Sequence, residues 1–316
     1  MPTLKEIKGR IASVQNTLKI TSAMKLVSSA KLRKAQTAIE SMRPYQAKLQ
    51  EILATATGAS GAPSTEKAVF GGQVAQNGSL STESGDFGGQ VPAGDTVVIA
   101  MASNSSLCGG FNANAIAKVK EVLRDRKVVR VYSIGKKMAD AMRKAGYPSP
   151  EDYTALSDHP SYGPASDLAE KLMEEYAEGK IASVLLVYNH FVSTGKQVPV
   201  VEELFDANKA EETASSFSGL SSSVIPGSDR ESQDVILEPS RKELLEALYP
   251  KTIKLKLFAA ILDSAAAEHA ARTVAMQTAT DNGEDLLSEL TLQYNKGRQQ
   301  KITSEILDLA GGQSRD

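Results

Sequence analysis

Few residues of this chain could do covalent or metal chemistry, and their spacing argues against both. The three histidines, His159, His190 and His269, lie far apart and show no metal-ligand spacing. They read as solvated or packed side chains. Cys108 is the single cysteine, and no motif sets a general base beside it, so it reads as a small buried apolar residue. The stretch LCGGFNANA, from Leu107 to Ala115, follows a strand-like run and opens a helix-like one. That position in a doubly wound sheet can hold phosphate on backbone N–H groups. The stretch lacks G-x-G-x-x-G spacing, however, and Gly135-Lys136-Lys137 is not a phosphate loop of the Walker type. A structural turn is the expectation there, with no catalytic residue, no cofactor and no metal site.

Charge is the stronger signal. The chain of 316 residues has a net charge of −2, but residues 1–57 hold ten Lys or Arg against three Glu. That end is strongly positive and the rest is acidic. Between Ile7 and Ile39 there are seven basic residues (Lys8, Arg10, Lys19, Lys25, Lys31, Arg33, Lys34) and no acid. A basic arm of this kind suits an acidic partner: nucleic acid, an anionic membrane or an acidic protein surface. With one cysteine no internal disulfide forms, which fits a reducing compartment. No apolar run reaches the ~20 residues of a membrane-spanning helix. A signal-peptide core is also absent, because Lys8, Arg10 and Lys19 interrupt Leu4 to Ile20.

The elements that carry this charge fall into three regimes. From Thr3 to about Thr57, positions 4, 7, 11, 14, 18, 21, 25, 28, 32, 35, 39, 42, 46, 49 and 53 form a sustained 3-4 stripe, mostly apolar. The stripe turns polar at Thr21, Lys25 and Ser28. Thr3 and Glu6 predict a capping box, and Pro44 a kink. Residues 58–94 are rich in Gly, Ser, Ala and Gln and read as an inserted segment. From Asp95 to about residue 207, TVVIAMAS, VVRVYSIG and IASVLLVYNHF read as buried strands. They alternate with FNANAIAKVKEVLRD, KKMADAMRKAG and SDLAEKLMEEYAEG, which read as helices. VPVVEELF reads as an edge strand. Such alternation predicts a Rossmann-like α/β domain with a partly parallel sheet. Residues 208–236 read as a Ser-rich loop. Residues 237–312 are helical almost throughout, with Pro250 a possible bend. Leu255, Phe258, Leu262, Ala265, His269, Arg272 and Met276 keep 3-4 spacing there. The apolar set resumes at Leu286, Leu287, Leu290, Tyr294, Ile302, Ile306 and Leu309, with a change of phase near Asp281-Asn282-Gly283.

Two long helices thus sit at opposite ends of one chain, with a compact α/β domain between. Each stripe is too long to bury against that domain alone. Pairing the helices with each other, antiparallel, is the economical solution. The expected fold is a long antiparallel coiled coil with a central α/β head at one end.

Both ends carry a resemblance. LKEIKGRIASVQNTLKITSAMKLVSSAKLRKAQ resembles the start of the γ subunit family of the rotary proton-translocating ATP synthase, and EHAARTVAMQTATDNGEDLLSELTLQYNKGRQQKITSEILDLAGG resembles its end. SNSSLCGGFNANAI resembles the family's S-D-R-G-L-C-G-G-F-N strand-turn-helix, with Asn104, Ser105 and Ser106 in place of Asp-Arg-Gly. The segment 58–94 departs from the family as an extra insertion, and Cys108 stands alone where the chloroplast form has a regulatory cysteine pair.

The resemblance implies a central rotor stalk without catalytic sites of its own. It couples proton flow through a membrane rotor ring of c subunits to ATP synthesis or hydrolysis. Its implied partners are three α and three β subunits, the ε subunit and that ring, with no nucleic acid. Its implied place is peripheral, on the cytoplasmic side of a bacterial plasma (inner) membrane. Partner contacts carry over at Met24 and Lys25, at Arg272 across from them, at Arg298, Gln299 and Thr303 farther along the helix, and at Glu238 near the rotor ring. The competing expectation is a stand-alone coiled-coil tether whose α/β head binds an acidic partner. A second competitor is an α/β enzyme with a nucleotide site at Gly109-Gly110.

Overall fold

The computed structural model describes residues 3–57, 95–206 and 241–312. The inserted segment 58–94, the Ser-rich loop 208–236 and Glu238 lie outside the described residues. In chain order the elements are α1 (Leu4–Thr57), β1 (Thr96–Met101), α2 (Phe111–Asp125), β2 (Val128–Ile134), α3 (Lys136–Lys144), α4 (Thr154–Asp158), α5 (Tyr162–Ala177), β3 (Ser183–Ser193), β4 (Lys196–Asp206) and α6 (Arg241–Gly312). Among the described residues α1 has 54 residues and α6 has 72, or about 80 and 110 Å of rise. The helices continue through both Pro44 and Pro250.

The four strands form one sheet in the order β2-β1-β3-β4. β1 pairs parallel with β2 and β3, while β4 returns antiparallel on β3 as an edge strand. β1 is buried along its whole length, as its apolar, β-branched sequence requires. Its side chains alternate between two cores. Val98 and Ala100, with Ala102 just past the strand, face Val119 and Val122 of α2 and Met138 and Met142 of α3. Val97, Ile99 and Met101 face Leu168 and Leu172 of α5 and, from the far end of the chain, Leu257, Ala260 and Ile261 of α6. The long helix is therefore one of the layers covering the sheet. At the β2–α3 turn, Gly135 has φ +99°, and a Cβ there would lie 1.9 Å from the carbonyl oxygen of Ala102. Only glycine lets β2 hand over to α3 so close to the end of β1.

The capping box forms. The amide of Thr3 donates to Glu6 Oε2 at 2.9 Å, and that of Glu6 to Thr3 Oγ1 at 3.3 Å. Every position of the 3-4 stripe in α1 is buried or half-buried. Its partners lie on α6. Leu49 packs with Leu248 and Leu255, and Leu32 with Ala266 and Ala270. Thr280 Oγ1 donates to Thr21 Oγ1 at 3.0 Å. Leu18 sits over Gly283 and Leu4 over Gly297. These contacts descend α1 as they ascend α6.

Three sequence expectations need correction. The stripe of α6 does not change phase at Asp281-Asn282-Gly283. It runs on through Met276, Thr280, Gly283, Leu287, Leu290, Tyr294 and Gly297, all buried or half-buried in unbroken 3-4 spacing. The break was apparent because Thr280 and Gly283 carry no large apolar group. Leu286, Ile302 and Ile306 are exposed, at 45, 47 and 59%. Leu286 lies off the stripe, and the other two lie beyond the start of α1. The third correction concerns the head. It flanks α6 from Ile253 to Ala275, and the helix pair continues past it in both directions.

Candidate functional site

Two regions bring together the residues the sequence singles out. The first is the joint between head and long helices. From residue 259 to 272 every residue of α6 is buried. Seven of these are alanines, which let α1, the sheet and the loop after β1 approach on all sides. Five polar side chains are buried among them: Asp263, Ser264, Glu268, His269 and Arg272.

Arg272 is a joint residue, 8% exposed. Its Nη1 donates to Glu268 Oε1 at 2.6 Å, one turn back, and its Nη2 to Ser105 Oγ at 2.8 Å. Burial pushes the Glu268 carboxyl up, and Arg272 opposes that shift. Ser105 belongs to the loop after β1, where the chain departs from the family's Asp-Arg-Gly. Neighbouring Asn104 ties the same loop to the head, donating to Thr154 O at 2.8 Å and Asp158 Oδ2 at 2.6 Å and accepting from the Lys136 amide at 2.8 Å. The LCGG turn packs rather than opens. Cys108 and Phe111 bury against Ala267 and Ala271 of α6. The adjoining cavity, lined by Gly109, Gly110, Asn114, Asn189 and Ala275 among others, holds about 190 Å³. Ligand pockets are usually larger, at roughly 300 Å³ and above.

The three histidines have three different surroundings. His159 is exposed. His190 pairs with Asp263 at 2.6 Å, and that hydrogen bond holds its pKa above the ordinary 6.5. His269 is buried and its Nδ1 has no hydrogen-bond partner among the described residues. Burial first, then the charges of Arg272 and Lys31, pushes its pKa down to about 4. Among the described residues no three His, Cys, Asp or Glu gather in a metal-binding group.

The second region is the outer surface of the long helices. Met24 and Lys25 are half-buried at the edge of the stripe, with Ile20, Leu26 and Val27 beside them 60, 70 and 58% exposed. Those three apolar residues were missed by stripe reasoning, which seeks apolar residues that pack inside the chain. Their signal was apolar character off the stripe. None of the seven cations between Ile7 and Ile39 makes a salt bridge among the described residues. Past Gly297, α6 continues without a neighbour among the described residues, and residues 298 to 307 are exposed throughout. Arg298, Gln299 and Thr303 lie there, with Ile302, Ile306 and Leu307 among them. The Thr303 hydroxyl turns back to Gln299 O at 2.9 Å. The structure therefore brings Arg298, Gln299 and Thr303 together on the tip, sets Met24 and Lys25 on the flank, and puts Arg272 inside the joint.

Comparison with known proteins identifies the family. A family model described as ATP synthase matches residues 3–314. A relative from Phocaeicola vulgatus named ATP synthase gamma chain is 43% identical over 99% of both chains. A gamma chain from Bacteroides thetaiotaomicron is 41% identical and one from Pelotomaculum thermopropionicum 34%, each over 99% of this chain and at least 98% of its own length. Among solved structures, a chain of the Euglena gracilis mitochondrial ATP synthase (OSCP/F1/c-ring, rotational state 3) superposes with a TM-score of 0.63 at 19% identity, covering 98% of this chain and 93% of its own. A chain of that enzyme's rotor, in rotational state 1, gives 0.60 at 18%, covering 95 and 98%. At those identities the structures speak for the fold. The sequence relatives speak for the family: this chain belongs to the ATP synthase gamma chains.

Proposed function

We propose that the chain is the central rotor stalk of a proton-translocating ATP synthase and has no catalytic site of its own. The observation that carries this is the outer surface of the long helices. It presents cations that make no salt bridge among the described residues, and exposed apolar side chains, along α1 and on the tip of α6. A helix exposing Ile302, Ile306 and Leu307 needs a protein surface around it.

In this reading α1 and α6 form an antiparallel coiled coil that serves as the axle. Residues 1–57 and 237–312 are its two helices, 95–207 the head, 58–94 an insertion and 208–236 a loop. The axle threads a ring of three α and three β subunits, which hold the ATP sites. The head side, with Glu238, meets the ε subunit and the membrane ring of c subunits. The complex sits on the cytoplasmic side of a bacterial plasma membrane, and no described helix of this chain is long and apolar enough to cross one.

The mechanism follows from symmetry mismatch. A threefold ring cannot contact one asymmetric rod identically at three places. Each catalytic site meets a different face and is biased to a different state. Turning the rod moves the bias around the ring, and the coupling is reciprocal, so proton flow drives synthesis and hydrolysis drives reverse rotation. Met24 and Lys25 would meet an acidic loop of a β subunit, and Arg298, Gln299 and Thr303 would catch a β subunit at the tip. Arg272 would act from inside, keeping the axle fixed to the head next to those contacts.

The first test is co-purification. Tagged chain should retain ATPase α and β subunits from membranes, and failure to do so would leave the tether reading in its place. Lys25→Glu should then lower ATP made per proton translocated while assembly persists, since it reverses a charge that has no partner within the described chain. An unchanged ratio removes Lys25 from the contact.

A further inference from the structure

The end of β3 is fastened to α6 by a pair of titratable groups. His190 Nδ1 lies 2.6 Å from Asp263 Oδ2, and the amide of Phe191 donates to Asp263 Oδ1 at 3.3 Å. Both carboxylate oxygens are thus engaged by consecutive residues of one strand. The Asp263 side chain is 7% exposed and the His190 side chain 20%. Phe191 packs against Leu32, Ala266 and Ala270 on one side and Cys108 and Phe111 on the other. The hairpin of β3 and β4, both long helices and the turn before α2 all meet at this point. Among the described residues, the charged groups acting on His190 include Asp263 from α6 and Glu202 from β4, both acidic. Tyr188, on the same strand, donates its hydroxyl to Glu202 at 3.1 Å. The residue facing His190 across the hairpin, Val198, is uncharged.

We propose that His190 and Asp263 form a proton-operated latch between the β3–β4 hairpin and α6, tight when His190 is protonated and slack when it is not.

A buried carboxylate is costly unless its charge is met. The Phe191 amide meets part of it at any pH, and the imidazolium meets the rest. A neutral imidazole with its proton on Nδ1 still donates a hydrogen bond, but it withdraws the counter-charge that His190 gives Asp263. Loss of the proton therefore weakens the latch without removing it. The direction of titration agrees. The Asp263 hydrogen bond is the largest cause raising His190 above 6.5, opposed by burial and assisted by the charges of Asp263 and Glu202. For a group raised on folding, the added stability is complete below its unfolded value near 6.5 and is lost as pH rises through the folded value. The latch slackens as pH rises above that, in the region where imidazoles serve as switches. What it does to this chain is independent of any partner. Its effect on rotary coupling rests on the rotor reading.

The test is urea unfolding of the full-length chain between pH 5.5 and 8.5, for wild type, His190→Gln and His190→Lys. At the acid end wild type should resist unfolding on the order of tenfold better than His190→Gln, as charged hydrogen bonds do. That advantage should shrink as pH rises. His190→Lys keeps its charge and should hold its advantage over His190→Gln across the range. Parallel wild-type and His190→Gln curves at every pH would overturn the latch, as would a His190→Lys curve matching His190→Gln. If either variant does not fold, the ring of His190 in wild type is titrated by NMR, and a pKa at or below 6.5 overturns it equally. Retention of α and β subunits, measured on the same preparations, reports separately on the rotor reading.

Discussion

Along α6, residues 259–272 are buried on every face, whereas residues 298–307 are exposed on every face. The two stretches belong to one continuous helix. The first is held by what surrounds it: α1, the sheet and the loop after β1 close over a run of alanines. The second has no tertiary support within the described chain and relies on helix propensity and on continuity with the packed part. Most helix stability in water comes from packing, so the tip persists as an extension of a rod anchored elsewhere. Side chains in the joint work on this chain's own stability, and side chains on the tip are free to work on something else.

The sharpest way to break that contrast is Arg272→Ala. Removing the guanidinium leaves Glu268 buried without its counter-ion and Ser105 without its donor. A loss of about 3–5 kcal/mol in chemical denaturation is expected. A loss below about 1 kcal/mol would show the joint to be far looser than its burial indicates.

Acid probes the same segment through His269. Its folded pKa, about 4, lies below the unfolded value of 6.5, so its protonation favours the unfolded chain. Stability is full above 6.5 and falls as pH drops from there toward 4. Replacing His269 with Gln should flatten that part of the stability profile. His190 contributes with the opposite sign, and the two variants should bend the curve in opposite directions.

A smaller effect separates two glycines. A Cβ at Gly283 would sit 2.6 Å from Leu18 Cδ2, whereas Gly9 has nothing within 4 Å. Gly9→Ala should stabilise by about 0.5–1 kcal/mol through helix propensity. Gly283→Ala should destabilise by about 1 kcal/mol, since overpacking outweighs the same gain. Equal and favourable shifts would mean that the helices separate freely at Leu18.

The smallest expected effect on stability is at the tip. Ile302→Ser with Ile306→Ser should change it by less than about 0.5 kcal/mol, yet reduce retention of α and β subunits. Marked destabilisation of the isolated chain would show that the tip is covered within the chain after all.

The comparison also shows what a sequence can carry. The stripe of α1 was legible because Leu, Ile and Val at most of its 3-4 positions have one economical burial, which carries the spacing across Thr21, Lys25 and Ser28. β1, α2 and β2 were legible because continuous apolar, β-branched runs at Thr96–Met101 and Val128–Ile134 bracket a segment of helical period between Phe111 and Asp125. What escaped depended on small residues. Thr280 and Gly283 keep the stripe of α6 going without apolar bulk, so it looked broken. The alanines between Ala259 and Ala271 gave no hint of all-round burial, since alanine suits a buried face and an exposed one alike. The five-residue helix α4 is too short to show a period. Of the candidate contacts, Lys25 and Arg298 were visible as charges, but Arg272 looked identical to them. Only long-range packing distinguishes a guanidinium held by Glu268 and Ser105 from one facing outward.

The double membership of α6 has a mechanical consequence. From Leu257 to Ile261 the helix is a layer of the head's core, and from Thr280 to Gly297 it is half of the rod. No linker intervenes. A twisting load applied to the head enters the rod as shear across interlocked side chains, in the manner of a splined shaft in its hub, rather than as bending at a joint. Such a coupling stores little strain of its own, so whatever elastic wind-up the rod shows must be distributed along the thinner stretch beyond Met276.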